Sequence, residues 1–117
     1  MNEIEINSKI YVKKSSLNPI DKSNYVIVRT YSAGIFAGTI ELQDGKRVVL
    51  SNARRIWYWD GSASLSELAT KGTSKPENCK FPCAVERVEL MEVIEILNVT
   101  PVARKSIESV KEWTAHD

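Results

Sequence analysis

The chain has 117 residues, which is the size of one domain, and its 43% of hydrophobic residues can form a modest core. The charges nearly balance, with 16 Lys+Arg against 15 Asp+Glu, which argues against a general binder of duplex DNA because such proteins carry a strongly basic face. The sequence predicts a single domain over residues 1–117, with a flexible tail at about 114–117.

Composition also bears on the compartment and on cofactors. No stretch approaches the roughly 18 apolar residues of a membrane span, and the polar N-terminus is unlike a signal peptide, so we expect an intracellular protein with no membrane partner. Cys79 and Cys83 are expected to be unpaired thiols in a reducing compartment. Two cysteines and the remote His116 are too few ligands for a metal site, so the prediction is no metal and no cofactor.

The first half of the chain has the patterns of β-strands. Apolar and polar residues alternate over residues 4–13, which predicts a half-buried strand, and the polar residues 14–24 predict a loop. Asp44-Gly45 is a hairpin signal, and Ser51-Asn52 predicts a turn or bulge. Further strands are predicted over residues 25–32, 35–43, 46–50 and 54–59.

The second half adds two helices. Ser64 and Glu67 fit a capping box at the start of a short helix that Gly72 ends, and a long polar loop follows over residues 73–82. Residues 85–99 predict a long strand, in which Glu92 either lies at a bulge, the favoured interpretation, or points inward as an acid with a partner. Thr100 begins a second helix over residues 102–111. The order predicts an α+β fold: a curved antiparallel β-sheet or open barrel with two short helices.

Catalytic patterns are scarce in this sequence. The only histidine is His116, close to the end of the chain, and no glycine-rich phosphate loop is present. The carboxylate pairs Glu86/Glu89 and Glu92/Glu95 have spacings that put their members on opposite faces of a strand. We therefore expect a protein that is not an enzyme.

Arginines and aromatic rings predict an anion-binding surface instead. Arg29 lies on the same strand face as Tyr31, where it is either a surface residue with a buried stem or a guanidinium held for phosphate contact and base stacking. Arg54 and Arg55 are expected on opposite strand faces, so that at most one of them faces a given pocket. Trp59 shares the side of Arg55 and is either core, interface or ligand platform.

Further candidates surround the two helix starts and the long loop. Ser62 and Ser64 lie where the first helix presents its amides, and Thr100 does the same for the second helix. Arg104 and Lys105 lie near the predicted start of the second helix, where a bound anion would relieve their unfavourable interaction with the helix dipole. Phe81, in a polar loop, is either a plug on the core or a stacking face for a base.

Three runs of residues resemble a family of small phage proteins. They are Val-Arg-Thr-Tyr-Ser-Ala-Gly at 28–34, the block at 52–66 that contains Ala-Arg-Arg-Ile-Trp-Tyr-Trp, and Pro-Glu-Asn-Cys-Lys-Phe-Pro at 76–82. The resemblance covers about residues 24–113. The family is the first type of Thoeris anti-defence protein, a viral sponge for immune signalling nucleotides.

The resemblance implies a binding protein that acts in the cytoplasm of the infected bacterium. Such proteins bind cyclic ADP-ribose isomers, including glycocyclic ADP-ribose, and release them intact; some also take up cyclic oligonucleotides of the CBASS defence system. The sites lie between protomers of a dimer, and dimers assemble into hexamers. Arg29 matches a binding arginine, Phe81 an aromatic stacker and Arg104 a second cation, while Met91 or Glu92 stands where a polar base-reading residue is expected.

A different class of function stays open at this point. A curved sheet with arginine and tryptophan side chains could stack single-stranded bases, so the alternative is a small phage nucleic-acid-binding or virion assembly module. The near-neutral charge argues against a nucleic-acid partner. Enzymatic hydrolysis of the same signals is the least favoured hypothesis.

Overall fold

The computed structural model describes residues 24–115. The strand predicted over residues 4–13, the loop over residues 14–23 and His116 lie outside the described residues. Five strands are described: β1 Tyr25–Thr30, β2 Ile35–Asp44, β3 Arg47–Arg55, β4 Val85–Leu90 and β5 Val93–Asn98. The helices are α1 Leu65–Lys71 and α2 Pro101–Glu108, and a 3₁₀ turn spans Pro76–Asn78.

The strands form one antiparallel sheet in the order β4-β3-β2-β1-β5. β4 and β5 follow each other in the chain but form opposite edges, so the two-residue link at Met91 and Glu92 crosses from one edge to the other. The Val93 amide donates to the Lys46 carbonyl beside β3 (3.0 Å), which shows how far the sheet curls at this end. Within the described residues the two edges are not joined by strand pairing. The predicted α+β class with a curved, open antiparallel sheet is confirmed.

β3 runs without a break from Arg47 to Arg55, so it joins the strand predicted over residues 46–50 to the first two residues of the one predicted over residues 54–59. Residues 56–59 lie beyond the strand. Asn52 has a φ of 49° and lies at a bulge, where Ala37 pairs with Arg54 and Thr39 pairs with Ser51. The left-handed conformation, which asparagine tolerates better than most residues, absorbs the extra residue without ending the strand. A turn or a bulge was predicted at Ser51-Asn52, and the structure has the bulge.

The long strand predicted over residues 85–99 is wrong, because the chain breaks at Met91 and Glu92 into two edge strands. Glu92 is exposed and its carboxylate accepts a hydrogen bond from the Ser32 hydroxyl (3.1 Å), so it is not an inward acid. A register shift does occur, but later than predicted: Arg29 pairs with Glu95 and Thr30 with Val93, which leaves Ile94 as the extra residue.

Two buried clusters lie on the two faces of the sheet. The first packs α1 and α2 onto the sheet and includes Ile27, Leu68, Phe81 and Ile107. The second draws buried side chains from all five strands and none from the helices. It therefore fills the inside of the curled sheet.

The helix caps are as predicted. The Ser64 hydroxyl accepts from the Glu67 amide (3.1 Å), while the Glu67 carboxylate reaches back to the Ala63 amide (2.6 Å). Gly72 ends α1 with a φ of 81°. The Thr100 hydroxyl caps α2 and donates to the Thr70 carbonyl (2.7 Å), which ties the two helices together.

In the described part of the chain, neither helix is long and apolar enough to cross a membrane.

Candidate ligand-binding surfaces

Four predicted residues lie on segments that come together at one end of the sheet, and we call Arg29, Tyr31, Arg55 and Met91 the sheet-end cluster. The loop at residues 31–34 leads from β1 to β2 and is fixed by Thr30, whose amide and hydroxyl both donate to the Gly34 carbonyl. The Tyr31 amide donates to the Glu92 carbonyl (2.9 Å), which joins this loop to the link that contains Met91. Arg55 donates to the Ala33 carbonyl in the same loop (2.9 Å).

The apolar members of the sheet-end cluster are exposed. Tyr31 is 78% exposed and Met91 is 64% exposed, although both are large side chains that could have been buried. A single exposed apolar residue needs no explanation, but two of them at the same end of the sheet as an arginine make this surface a candidate for contact with a ligand or partner.

The two arginines of the cluster lie on opposite faces of the sheet. Arg29 pairs with Ile35, which packs against the helix-side core, and Arg55 pairs with Phe36, which lies inside the curl. Arg29 donates to Glu95 (2.8 Å) with its side chain 48% exposed. The Arg55 guanidinium lies 4.4 Å from the centre of the Phe36 ring. Arg29 is therefore the guanidinium of the cluster that shares a face with the helices.

Arg54 has a structural role in this protein. Its guanidinium donates to three backbone carbonyls, those of Phe81 (2.8 Å), Pro82 (3.1 Å) and Ile107 (3.3 Å). Burial lowers the pKa of the Arg54 guanidinium below its ordinary value. Because its donors are committed to these carbonyls, Arg54 fastens the loop before β4 to the end of α2, and the prediction that it faces a ligand is corrected.

Phe81 is a plug on the core, which was one of the two interpretations of its position. Its side chain is 0% exposed and packs with the helix-side cluster. A ring without an accessible face cannot stack on a base, so the stacking role is corrected. The neighbouring residues in sequence are mostly polar and gave no sign that Phe81 is buried. The loop turns this one aromatic side chain into the core while the adjacent Lys80 stays at the surface.

The predicted residues around α1 also make contacts within the fold. Trp59 is half-buried against the core and donates to the Ser62 carbonyl (3.3 Å), and the Ser62 hydroxyl donates to the Gly72 carbonyl (2.5 Å). Ser64 is occupied as the N-cap. These residues brace the two ends of α1.

The dipole argument for Arg104 and Lys105 is wrong because α2 ends at Glu108 instead of residue 111. Lys105 then falls in the last turn, where a cation is favourable. Arg104 donates to Glu108 (3.0 Å), and its guanidinium lies 4.6 Å from the centre of the Tyr25 ring. Thr100 uses its hydroxyl for capping. No bound anion is needed to explain the position of either cation.

A second surface was not predicted from the sequence, and we call it the Trp113 groove. It is an open groove with a volume of about 490 Å³. Tyr58 and Lys80 adjoin it, since the Lys80 ammonium lies 5.5 Å from the Trp113 ring and 6.0 Å from the Tyr58 ring. The lining residues are Pro76, Glu77, Cys79, Ser109, Lys111, Glu112 and Trp113.

Long-range backbone pairing assembles the Trp113 groove. The Lys80 amide donates to the Tyr58 carbonyl (2.8 Å), and the Trp113 amide donates to the Phe81 carbonyl (3.0 Å). These bonds join segments that are more than twenty residues apart in sequence. The only sequence signal was the presence of aromatic residues in otherwise polar segments.

Two carboxylates among residues 24–115 have lowered pKa values. The Asn78 side chain donates to Asp60 and is the main cause of its lowered pKa, with the Gly61 amide as the second. A hydrogen bond from Arg47 lowers the pKa of Glu89. Across residues 24–115, no group of three or more His, Cys, Asp or Glu residues is placed to hold a metal ion.

Comparison with known proteins identifies the family of the chain and nothing further. No curated protein and no solved structure matches the chain. A family model matches residues 23–107, which is most of the chain and includes all five described strands, α1 and all of α2 except Glu108. The chain therefore belongs to the family described as "Domain of unknown function (DUF6948)".

Proposed function

We propose that this protein binds and sequesters, without cleaving, nucleotide-derived immune signals such as cyclic ADP-ribose isomers and CBASS cyclic oligonucleotides. It would do so as a phage protein in the cytoplasm of the infected bacterium, and so inhibit host defence. The proposal is supported by the resemblance of the sequence runs at 28–34, 52–66 and 76–82 and by the sheet-end cluster. The observation that carries it is the exposure of Tyr31 and Met91 at the same end of the sheet as the exposed Arg29.

The chemistry of this surface suits a nucleotide. A tyrosine ring and a methionine thioether offer apolar contact to a flat base, and a guanidinium offers paired donors to a phosphate. Glu95 now accepts from Arg29, so a ligand phosphate would have to compete with that carboxylate. Since the Arg29–Glu95 pair is exposed, the cost of breaking it is about 1 kcal/mol or less.

A second copy of the chain would complete the site. Tight binding of a small ligand requires most of its surface to be enclosed, and a side chain as exposed as Tyr31 encloses little within one protomer. A partner protomer placed over Tyr31 and Met91 would cover both. We therefore propose a homodimer with the site at its interface, and a hexamer as the higher assembly.

Calorimetry with a panel of cyclic ADP-ribose isomers and cyclic oligonucleotides tests the function. We expect sub-micromolar binding of at least one compound, recovery of that compound intact after heat denaturation, and Arg29→Ala to weaken binding about tenfold or more. Arg87→Ala is the matched control, because Arg87 is also an exposed strand arginine paired with a glutamate.

Two results would overturn the proposal. One is the absence of both heat and thermal shift with every compound in the panel. The other is chromatographic detection of a cleaved product, which would indicate an enzyme. Binding to single-stranded oligonucleotides that weakens steeply with salt would instead support the nucleic-acid module.

A further inference from the structure

We propose that the Trp113 groove is a second binding site, with the chemistry to hold a ribonucleotide. The Trp113 ring would stack on the base, Glu77 and Glu112 would accept hydrogen bonds from the ribose hydroxyls, and Lys80 and Lys111 would contact the phosphate. The inference takes from the proposed function only the expectation that the ligand is a nucleotide. Its residues are all different from those of the sheet-end cluster.

The size and construction of the groove suit a ligand of this kind. Its volume of about 490 Å³ lies within the range of about 300–1,000 Å³ that is usual for small-molecule sites. The segments that form it are fixed before any ligand arrives: the Trp113 amide donates to the Phe81 carbonyl, and the Arg54 guanidinium donates to the same carbonyl. Cys79 is buried at the groove. A pre-formed site loses little conformational entropy on binding.

The charge of Lys80 is available to a ligand. Within residues 24–115 no carboxylate lies within ion-pair distance of Lys80, whereas Arg29, Arg47, Arg87 and Arg104 each pair with a glutamate. Its ammonium instead lies against the rings of Trp113 and Tyr58. A cation beside an aromatic face is the combination that binds a base and a phosphate of the same nucleotide.

The carboxylates make the site selective. Glu77, on the 3₁₀ turn, and Glu112, on the segment after α2, are both exposed and line the groove. Ionised carboxylates only accept hydrogen bonds, so they suit the vicinal hydroxyls of a ribose. They also repel additional phosphates. We therefore expect a preference for ribose over deoxyribose and for one phosphate over three.

NMR titration with adenosine 5′-monophosphate tests the site. The tryptophan indole N–H signals of the ¹⁵N-labelled protein would be assigned with Trp113→Phe and Trp57→Phe. We expect the Trp113 signal to shift during the titration, the exposed Trp57 to stay unchanged, and the deoxyribose analogue to bind more weakly. Lys80→Met should weaken binding about tenfold. Lys105→Met, which removes an exposed lysine of α2 outside the groove, should have no effect.

The outcomes separate this inference from the proposed function. An unchanged Trp113 signal, or equal affinity in Lys80→Met with an unaltered melting temperature, would overturn the groove site. Tight binding of a cyclic signal with no response at Trp113 would overturn the groove site and support the proposed function. A response at Trp113 to adenosine monophosphate without tight binding of any cyclic signal would support the groove site and overturn the proposed function.

Discussion

Arg54 and Phe81 are joined in two ways: the guanidinium donates to the Phe81 carbonyl at 2.8 Å and lies 5.4 Å from the centre of the Phe81 ring. The same guanidinium reaches Ile107 at the end of α2. A single side chain of β3 thus holds both the loop that carries Lys80 and the helix that precedes Trp113. The Trp113 groove depends on this contact although Arg54 does not line it.

The first prediction concerns this contact. Arg54→Met should lower the free energy of unfolding by about 2–4 kcal/mol, because buried carbonyls lose charge-assisted hydrogen bonds. Arg54→Lys should recover only part of that loss, since an ammonium cannot reproduce the planar fork that spans three carbonyls. Urea denaturation measures both. Arg87→Met, which removes an exposed arginine, should change the free energy by less than about 1 kcal/mol. Equal effects at the two positions would contradict the structural role of Arg54.

The second prediction concerns the contact between the helices. A methyl group at Gly72 would overlap the Ser106 side chain, and the φ of 81° disfavours any L-residue there. Gly72→Ala should therefore destabilise the protein by about 2–4 kcal/mol, from the strained backbone and overpacking together.

Gly45→Ala is the control for Gly72→Ala. Gly45 also has a positive φ, of 61°, but a methyl group there would meet nothing within 4 Å. Gly45→Ala should lower the free energy of unfolding by only about 1 kcal/mol, which is the cost of a left-handed backbone conformation for an L-residue. Thermal melts of the two variants separate packing from conformation, and a Gly45→Ala variant as unstable as Gly72→Ala would refute the packing argument.

The third prediction concerns Thr100. Thr100→Ala removes the N-cap of α2 and the hydrogen bond to the Thr70 carbonyl, and should cost about 1–2 kcal/mol. Thr100→Ser keeps the hydroxyl and should retain most of the stability. If both variants melt like the unmodified protein, the cap does not contribute.

The fourth prediction concerns acid. The pKa of Asp60 is lowered below its ordinary value of 3.8, chiefly by the hydrogen bond from Asn78. A carboxylate with a lowered folded-state pKa stabilises the fold above the unfolded-state value, and that contribution is lost as the pH falls through the folded-state pKa. Asn78→Ala should therefore lower the melting temperature at neutral pH and reduce its decrease on acidification below about pH 4. Melting curves at a series of pH values measure this, and parallel curves for both proteins would contradict it.

Local patterns predicted the parts of the fold that depend on near neighbours in sequence. The capping residues Ser64 and Thr100 were recognisable because a cap needs only a hydroxyl three residues before an amide. The bulge at Asn52 was recognisable as an irregularity, but whether the strand continued beyond it depended on pairing with β2. Long-range pairing carries no local signal, so the edge-to-edge crossing at Met91 was not predicted.

The candidate site was harder to predict than the fold. Arg29 and Tyr31 are both exposed, but Arg54 and Phe81 have the residue types of a nucleotide site and are used inside the protein. Residue type alone cannot distinguish a guanidinium that meets a phosphate from one that meets backbone carbonyls, because both are oxygen acceptors. The groove beside Lys80 arises only when residues 58, 80 and 113 are brought together by the fold.

The crossing from β4 to β5 has a consequence for how the chain folds. The hairpin of β2 and β3 closes over a short turn, and β4 then adds to β3. β5 must instead find β1, which lies more than sixty residues earlier in sequence, and it can do so only when the sheet between them has curled. Closing so large a loop is entropically expensive, so the pairing of β1 with β5 should be the slow, late step of folding. Arg29 of β1 pairs with Glu95 of β5, so this ion pair forms in the same late step. The sheet-end cluster is therefore complete only at the end of folding.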